Sequence, residues 1–199
     1  MAGLTATLLM SVAVGTASAG RLSVSNNRFR IVWASITLDP GNIRCNVTIE
    51  GSFHSGTIQK RVDALIGYVS RPIVAPPAQC TNGEATIVQE SLPWHVRYRG
   101  FTGRLPSISG ISFGLVGARL RVHVNSLGST CEMITTPEHP FVGIGEANET
   151  GTLTGLRADE NGRIPLAGLC GVFGTEGAYT GTGAVTLLNA ATRITVRLI

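Results

Sequence analysis

Apolar and basic residues alternate along two short stretches of the chain. Tryptophan, valine and tyrosine alternate with histidine and arginine from 94 to 99, and leucine and valine alternate with arginine and histidine from 119 to 124. Because successive side chains of a strand project to opposite faces, each stretch predicts a half-buried strand with an apolar inner face and a basic outer face. The outward basic side chains are then His95, Arg97, Arg99, Arg119, Arg121 and His123.

Similar short stretches follow one another along most of the chain after residue 20. They cover 28–33, 45–53, 85–89, 153–158, 184–188 and 193–199, with turn residues between them. One stretch, 60–69, also has helical spacing, and we interpret it as a strand from its context. Short strands with frequent turn signals and almost no helical periodicity predict an all-β fold of antiparallel strands. We expect a β-sandwich or jelly roll with little helix, formed as a single domain by residues 20–199.

Glycine, proline and other turn residues predict the connections between these strands. Asp159-Glu160-Asn161-Gly162 predicts the turn of a hairpin, and the glycine-rich segment 171–183 predicts a long surface loop. Pro72, with two further prolines soon after it, predicts a loop that leads to the second cysteine. The chain is expected to close with a hairpin between 184–188 and 193–199.

The first 19 residues resemble a secretory leader peptide. Residues 4–17 are an uncharged run of small and apolar side chains, and Ala17-Ser18-Ala19 fits a signal-peptide cleavage site. The run is too short to span a bilayer with any margin, and the positively charged start of a typical leader is missing. We therefore expect a secreted, extracellular protein that begins at Gly20, with no membrane span and no lipid anchor. The alternative is a buried N-terminal helix.

Four cysteines agree with export into an oxidising compartment. An even number in an exported chain predicts two disulfides, for which three pairings exist. We predict the sequential pairing, Cys45–Cys80 and Cys131–Cys170. No two cysteines have the spacing of a zinc knuckle, so zinc binding is the weaker interpretation.

The charge of the chain is low in density and basic in sign. Charged residues make up 14% of the sequence and the net charge is +4, with fifteen arginines and one lysine. Guanidinium groups bind phosphate, sulfate and carboxylate in a planar fork, which favours an anionic partner. Codon preference in a G+C-rich genome is the other explanation for the excess of arginine.

Motifs for catalysis and metal binding are weak. Gly110-Ile111-Ser112-Phe113-Gly114 matches the G-x-S-x-G pattern of a nucleophile elbow, but the residues after it predict a strand where the elbow requires a helix. Asp159 and Glu160 resemble only a fragment of a calcium loop. We therefore predict no catalytic residue, no metal site and no cofactor.

Four segments resemble a group of secreted actinobacterial proteins of the all-β class. The resemblance spans most of the chain after residue 20, and it implies export and a bacterial origin. It carries over no activity, cofactor or site residue. The segments are Phe29-Arg30…Trp33, Gly51-Ser52-Phe53-His54-Ser55, Leu92-Pro93-Trp94-His95-Val96-Arg97-Tyr98 and Arg193-Ile194-Thr195-Val196.

Three classes of function fit these features. The favoured class is a non-enzymatic binding or structural protein at the cell surface, because no pair of carboxylates and no positioned nucleophile is visible. The second is an extracellular hydrolase, an esterase or a glycosidase. The third is a self-assembling subunit of a surface layer or filament, with residues 20–27 as an arm that adds to a neighbour's sheet.

The two basic strand faces suggest a binding site for an anionic extracellular polymer, such as an acidic polysaccharide or a nucleic acid. If the two strands were direct neighbours, Arg97 could face Arg121, and like charges in that position destabilise a sheet. An intervening strand, glutamates such as Glu84 and Glu90, or a bound anion would relieve the repulsion. The alternative is an ordinary solvated face.

Overall fold

The computed structural model describes residues 20–39, 41–75, 80–104, 107–169 and 174–199, and in these ranges regular structure is almost entirely β-strand. The strands are β1 (Arg21–Val24), β2 (Arg28–Leu38), β3 (Ile43–Phe53), β4 (Thr57–Gln59), β5 (Leu65–Val74), β6 (Gly83–Ile87), β7 (Trp94–Arg104), β8 (Ser107–Val116), β9 (Arg119–Val124), β10 (Ser129–Ile134), β11 (Phe141–Ala147), β12 (Leu153–Ala158), β13 (Arg163–Gly168), β14 (Glu176–Leu187) and β15 (Val196–Leu198). A short 3₁₀ turn, Gln89–Ser91, precedes β7.

Eight strands form a closed barrel. Their order is β12-β11-β8-β7-β5-β3-β2-β14, and β14 pairs back with β12 through Leu156–Gly183 and Arg157–Thr182. Every pairing is antiparallel, so the prediction of an all-β antiparallel fold is confirmed. The predicted sandwich or jelly roll is wrong. Inner and outer residues alternate in the same way in a sandwich and in a barrel, but only closure leaves no sheet edge unpaired.

A second sheet branches from the barrel, and we call β6, β9, β10 and β13 the side sheet. The first part of β14 pairs with β13, and the order then runs β10, β9, β6. The far edge returns to the barrel where Arg44 pairs with Thr81. The pairing of β2 with β3 shifts register after Trp33, and the pairing of β14 with β2 shifts after Gly181. Strand β14 pairs with the side sheet before its shift and with β12 after it. One continuous hydrophobic core fills both parts.

A three-stranded sheet, β15-β1-β4, contains both the first and the last strand. Leu22 at its centre is fully buried. The N-terminal segment is therefore not a free arm, because Arg21–Val24 pairs within its own chain. The prediction of a closing hairpin between 184–188 and 193–199 is also wrong, since β15 pairs with β1 while β14 pairs with β2.

Further predicted connections need correction. Residues 176–183 of the predicted glycine-rich loop belong to β14, where glycine permits close approach: a Cβ at Gly177 would lie 2.0 Å from the Asp39 carbonyl oxygen. The 159–162 turn forms, with Gly162 N–H donating to Asp159 O at 2.9 Å, yet β12 and β13 do not pair because they enter different sheets. Pro72 lies within β5, beyond the residues that pair with β7, so its missing N–H interrupts no bond to β7.

Several local predictions are confirmed. Residues 94–99 and 119–124 are strands with apolar side chains inward. The strand predicted over 60–69 is confirmed only for 65–69, which belong to β5, since a turn at 62–63 precedes it. The Cys45–Cys80 disulfide forms beside the Arg44–Thr81 pairing. Cys131 is also disulfide-bonded, but Cys170 lies outside the described residues, so the pairing Cys131–Cys170 stays a prediction. The leader, residues 1–19, also lies outside them.

Candidate binding surface

The six basic residues predicted as a site lie on two separate surfaces. His95, Arg97 and Arg99 project from the outer face of the barrel on β7, which pairs with β5 and β8. Arg119, Arg121 and His123 project from the side sheet on β9, which pairs with β6 and β10. Strand β7 does not pair with β9, so Arg97 does not lie opposite Arg121. The repulsion between like charges that direct pairing would cause is therefore absent.

On the side sheet, the basic residues meet a carboxylate from the neighbouring strand β10. Glu132 accepts from Arg119 Nη2 at 2.7 Å, and its other oxygen lies 3.5 Å from Arg121 Nε. His123 Nδ1 lies 3.1 Å from Thr130 Oγ1. Glu84 is the cross-strand neighbour of His123, but no ion pair joins them, and Glu90 lies in the 3₁₀ turn. Sequence reasoning named those two glutamates and missed Glu132, although its alternation with buried Cys131 and Met133 places it outward.

Because of the side-sheet ion pairs, we expect the free energy of unfolding to decrease at acid pH. The hydrogen bond from Arg119 holds the pKa of the Glu132 carboxyl below its usual value. A lowered pKa in the folded state stabilises the protein above the unfolded pKa, and this contribution is lost as pH falls and the carboxylate is protonated. We expect Glu132→Gln to be destabilising at neutral pH and to flatten the decline in stability on acidification to about pH 3. Urea unfolding at a series of pH values measures this.

Glu90→Gln is the matched control, because Glu90 is exposed and forms no ion pair with any of the described residues. If the Glu90 and Glu132 variants lose stability with acid in parallel with the wild type, the Arg119–Glu132 contact contributes nothing to the pH dependence.

On the barrel, arginines from the three strands β2, β5 and β7 share one outer face, which we call the basic wall. Glu50 lies between two of them and is only 6% exposed. Arg30 donates to Glu50 Oε1 from Nε at 2.8 Å and from Nη2 at 2.6 Å, and Arg71 Nη1 lies 3.3 Å from Oε2. The register places Arg30, Glu50 and Arg71 in one row across β2, β3 and β5. The arginines of the basic wall are Arg28, Arg30, Arg71, Arg97 and Arg99.

The second carboxylate of the basic wall comes from the turn before β5. Asp63 accepts from Arg99 Nη1 at 2.5 Å, and its carbonyl oxygen accepts from Arg97 Nη1 at 3.3 Å. The turn is held against β7 because Asp63 N–H donates to the Tyr98 carbonyl at 2.8 Å. Sequence reasoning missed Asp63, since nothing in its local pattern shows that this turn packs on β7.

Aromatic rings interrupt the arginines along the basic wall. Tyr68 lies edge-on between two histidines, with ring centroids 4.7 Å from His54 and 5.3 Å from His95. The row continues in register through Ser52 to Arg28. Cations and flat rings therefore alternate over the same outer face.

The G-x-S-x-G segment does not form a nucleophile elbow. Ser112 lies within β8, opposite Ile144 on one side and Gly100 on the other, and the strand continues to Val116. The sharp turn from strand to helix that presents such a serine is absent here. The histidine that follows the segment in the sequence, His139, lies with its Nδ1 3.3 Å from Glu176 Oε1.

Within the ranges that the structure describes, no three histidines, cysteines or carboxylates cluster as metal ligands. In the same ranges, no helix is long and apolar enough to cross a membrane.

Comparisons of the chain with protein-family models, with curated proteins and with solved structures found no match. The resemblance to secreted actinobacterial proteins therefore stays a prediction.

Proposed function

We propose that the protein is an exported, non-enzymatic binding protein whose basic wall holds an acidic extracellular polymer. The observation that carries the proposal is the composition of this wall. Within the described residues, the five arginines of the basic wall form ion pairs with only two carboxylates, those of Glu50 and Asp63.

The exposed guanidinium groups support binding of carboxylate, sulfate or phosphate. The side chain of Arg71 is 68% exposed and that of Arg30 is 43% exposed despite their contacts with Glu50. Guanidinium forks bind such anions in a bidentate manner, and each arginine here keeps donors that its carboxylate partner does not use. The wall can therefore accept external anions without first breaking its own ion pairs.

The dimensions of the wall suit an extended chain. Arg28, Ser52, Tyr68 and His95 lie in register on four successive strands. Because neighbouring strands are about 4.8 Å apart, this row spans roughly 14 Å. The rings of Tyr68 and the two histidines offer apolar surface between charges, which fits a polymer with both acidic groups and flat faces, such as an acidic polysaccharide.

The side sheet supports this role less well. Glu132 contacts both Arg119 and Arg121, and Glu84 lies beside His123. The site proposed from the sequence is therefore narrowed to His95, Arg97 and Arg99, and it is extended by Arg28, Arg30 and Arg71.

Export is supported by two features of the chain. Residues 1–19 have the pattern of a leader, and the Cys45–Cys80 disulfide is of the kind that persists in oxidising compartments.

The proposal predicts that wild-type protein binds heparin-agarose at low salt and elutes as salt rises. Arg71→Gln/Arg97→Gln should elute at clearly lower salt, because binding through phosphate-like or sulfate groups weakens with each lost cation. With two contacts removed, affinity near physiological salt should fall roughly tenfold or more, at about 1 kcal/mol per lost contact. The elution position on a salt gradient measures the change.

Arg119→Gln/Arg121→Gln is the control, since it removes the same charge from the side sheet. We expect it to elute close to the wild type. If both double variants shift equally, net charge rather than the basic wall controls retention, and if neither shifts, the proposed function is wrong. Thermal unfolding of each variant checks that the fold is intact.

A further inference from the structure

Two cavities of about 60 Å³ each adjoin one another inside the molecule. One lies inside the barrel among residues such as Phe29, Phe53 and Phe113, and the other extends towards the side sheet at Leu120 and Met133. Both are lined almost entirely by apolar side chains. An apolar cavity of this kind stays dry and can take up an apolar molecule.

Four residues, Trp33, Ile49, Leu115 and Phe141, line both cavities and so lie between them. Trp33 packs edge-on against Phe141, with ring centroids 6.1 Å apart. Its indole also lies against Gly183, where a Cβ would be 3.1 Å from Nε1. Because Gly183 has no side chain, the edge of the indole that carries Nε1 can lie close to the backbone of β14.

Among the described residues that line the two cavities, Trp33 has a buried polar group without a hydrogen-bond partner, its indole N–H. The residue is 2% exposed, and its Nε1–H has no hydrogen-bond partner among the described residues. The other tryptophan, Trp94, also lines the second cavity, but its Nε1 donates to Ser91 Oγ at 2.8 Å. Buried indole N–H groups normally find an acceptor, and leaving one unpaired is destabilising.

We propose that the joined cavities are a binding site for a small, mainly apolar molecule with one oxygen acceptor, which accepts a hydrogen bond from Trp33 Nε1. A ring-sized ligand needs a cavity of roughly 150 Å³, as for benzene in an engineered apolar cavity. Each cavity alone is smaller than that, so such a ligand occupies both, and side chains between them shift to admit it. An aryl ketone has the required combination of ring and acceptor.

This site is independent of the basic wall. The same strands contribute to both, but with opposite faces: Val69 and Val96 line the cavity, while Tyr68 and His95 lie outside. Either proposal can therefore fail without affecting the other.

Acetophenone and ethylbenzene are the two probes, because they have nearly the same shape and only acetophenone has an acceptor. In a ¹H–¹⁵N spectrum the two indole N–H signals are assigned with Trp33→Phe and Trp94→Phe. We expect acetophenone to shift the Trp33 signal towards a hydrogen-bonded position and to leave the Trp94 indole bonded as before. The ratio of the acetophenone affinity to the ethylbenzene affinity should be about fivefold higher in the wild type than in Trp33→Phe, the contribution of one hydrogen bond.

Ethylbenzene should still bind Trp33→Phe, and Trp94→Phe should keep the wild-type ratio of affinities. An unchanged Trp33 signal at saturating acetophenone, or the same ratio of affinities in the wild type and in Trp33→Phe, overturns the proposal. Because the protein has two tryptophans, one folded variant assigns both signals, and the Trp33 signal still decides the first point if the other variant does not fold.

Discussion

Replacing Gly162 by alanine is expected to destabilise the protein by about 3 kcal/mol, near the upper end of the usual cost of overpacking a core. A Cβ at this position would lie 2.1 Å from Tyr179 Oη and 2.3 Å from its Cζ. Tyr179 is fully buried, stacks on Phe141 at 4.2 Å, and its hydroxyl accepts from Val142 N–H at 2.7 Å. The ring therefore cannot move aside without breaking several contacts.

Urea unfolding measures the loss, and Gly100→Ala is the control. A Cβ at Gly100 would meet nothing within 4 Å, so that variant should stay within about 0.5 kcal/mol of the wild type. Equal unfolding free energies for the Gly162 variant and the wild type would show that the turn yields and Tyr179 is not fixed.

Removing the Cys45–Cys80 disulfide should cost about 3–4 kcal/mol. The two residues are 35 positions apart, and closing a loop of that length restricts the unfolded chain by about this amount in the chain-entropy treatment. The link also fastens the returning edge of the side sheet to β3, next to the Arg44–Thr81 pairing. Cys45→Ala/Cys80→Ala is the appropriate variant, because Cys45 is 1% exposed and a serine there would bury a hydroxyl.

The unfolding free energy of this variant, compared with the wild type without reductant, tests the expectation. Cys45→Ser/Cys80→Ser serves as the comparison and should be less stable than the alanine variant. A difference from the wild type below about 1 kcal/mol would mean that the side sheet is held by its hydrogen bonds and core alone.

The sequence predicted strands far better than it predicted their partners. The alternation at 94–99 depends only on side chains two positions apart, and the structure confirms which of them point inward. Closure of the barrel depends on Leu156 meeting Gly183, a contact between distant residues of which one has no side chain to mark a face. The glycines of β14 predicted a loop because they have no side chains that could show alternation. In the structure they allow the neighbouring strand to pack closely.

For the candidate surface, too, the sequence predicted the direction of the side chains but not their partners. The outward direction of Arg97 and Arg121 followed from period-two alternation, but their electrostatic partners depend on register and turn packing. Glu132 is opposite Arg121 across β9 and β10, and Asp63 reaches Arg99 from a turn. Neither proximity has a local signature. The sequence therefore suggested one basic site, whereas the structure has a basic wall on the barrel and, apart from it, a side sheet in which Arg119 and Arg121 share Glu132.

The position of β14 in the chain also constrains how the protein folds. Residues 176–187 close the barrel against β2 and β12 and also begin the side sheet. During synthesis the barrel cannot close, and β13 lacks its second partner, until this late strand has been made; until then β2 and β12 also have exposed edges. Topologies dominated by such distant pairings fold slowly, on a scale of about milliseconds to seconds, and their open intermediates aggregate readily. We therefore expect refolding yield to fall with protein concentration, with β14 ordering as part of the last, rate-limiting step.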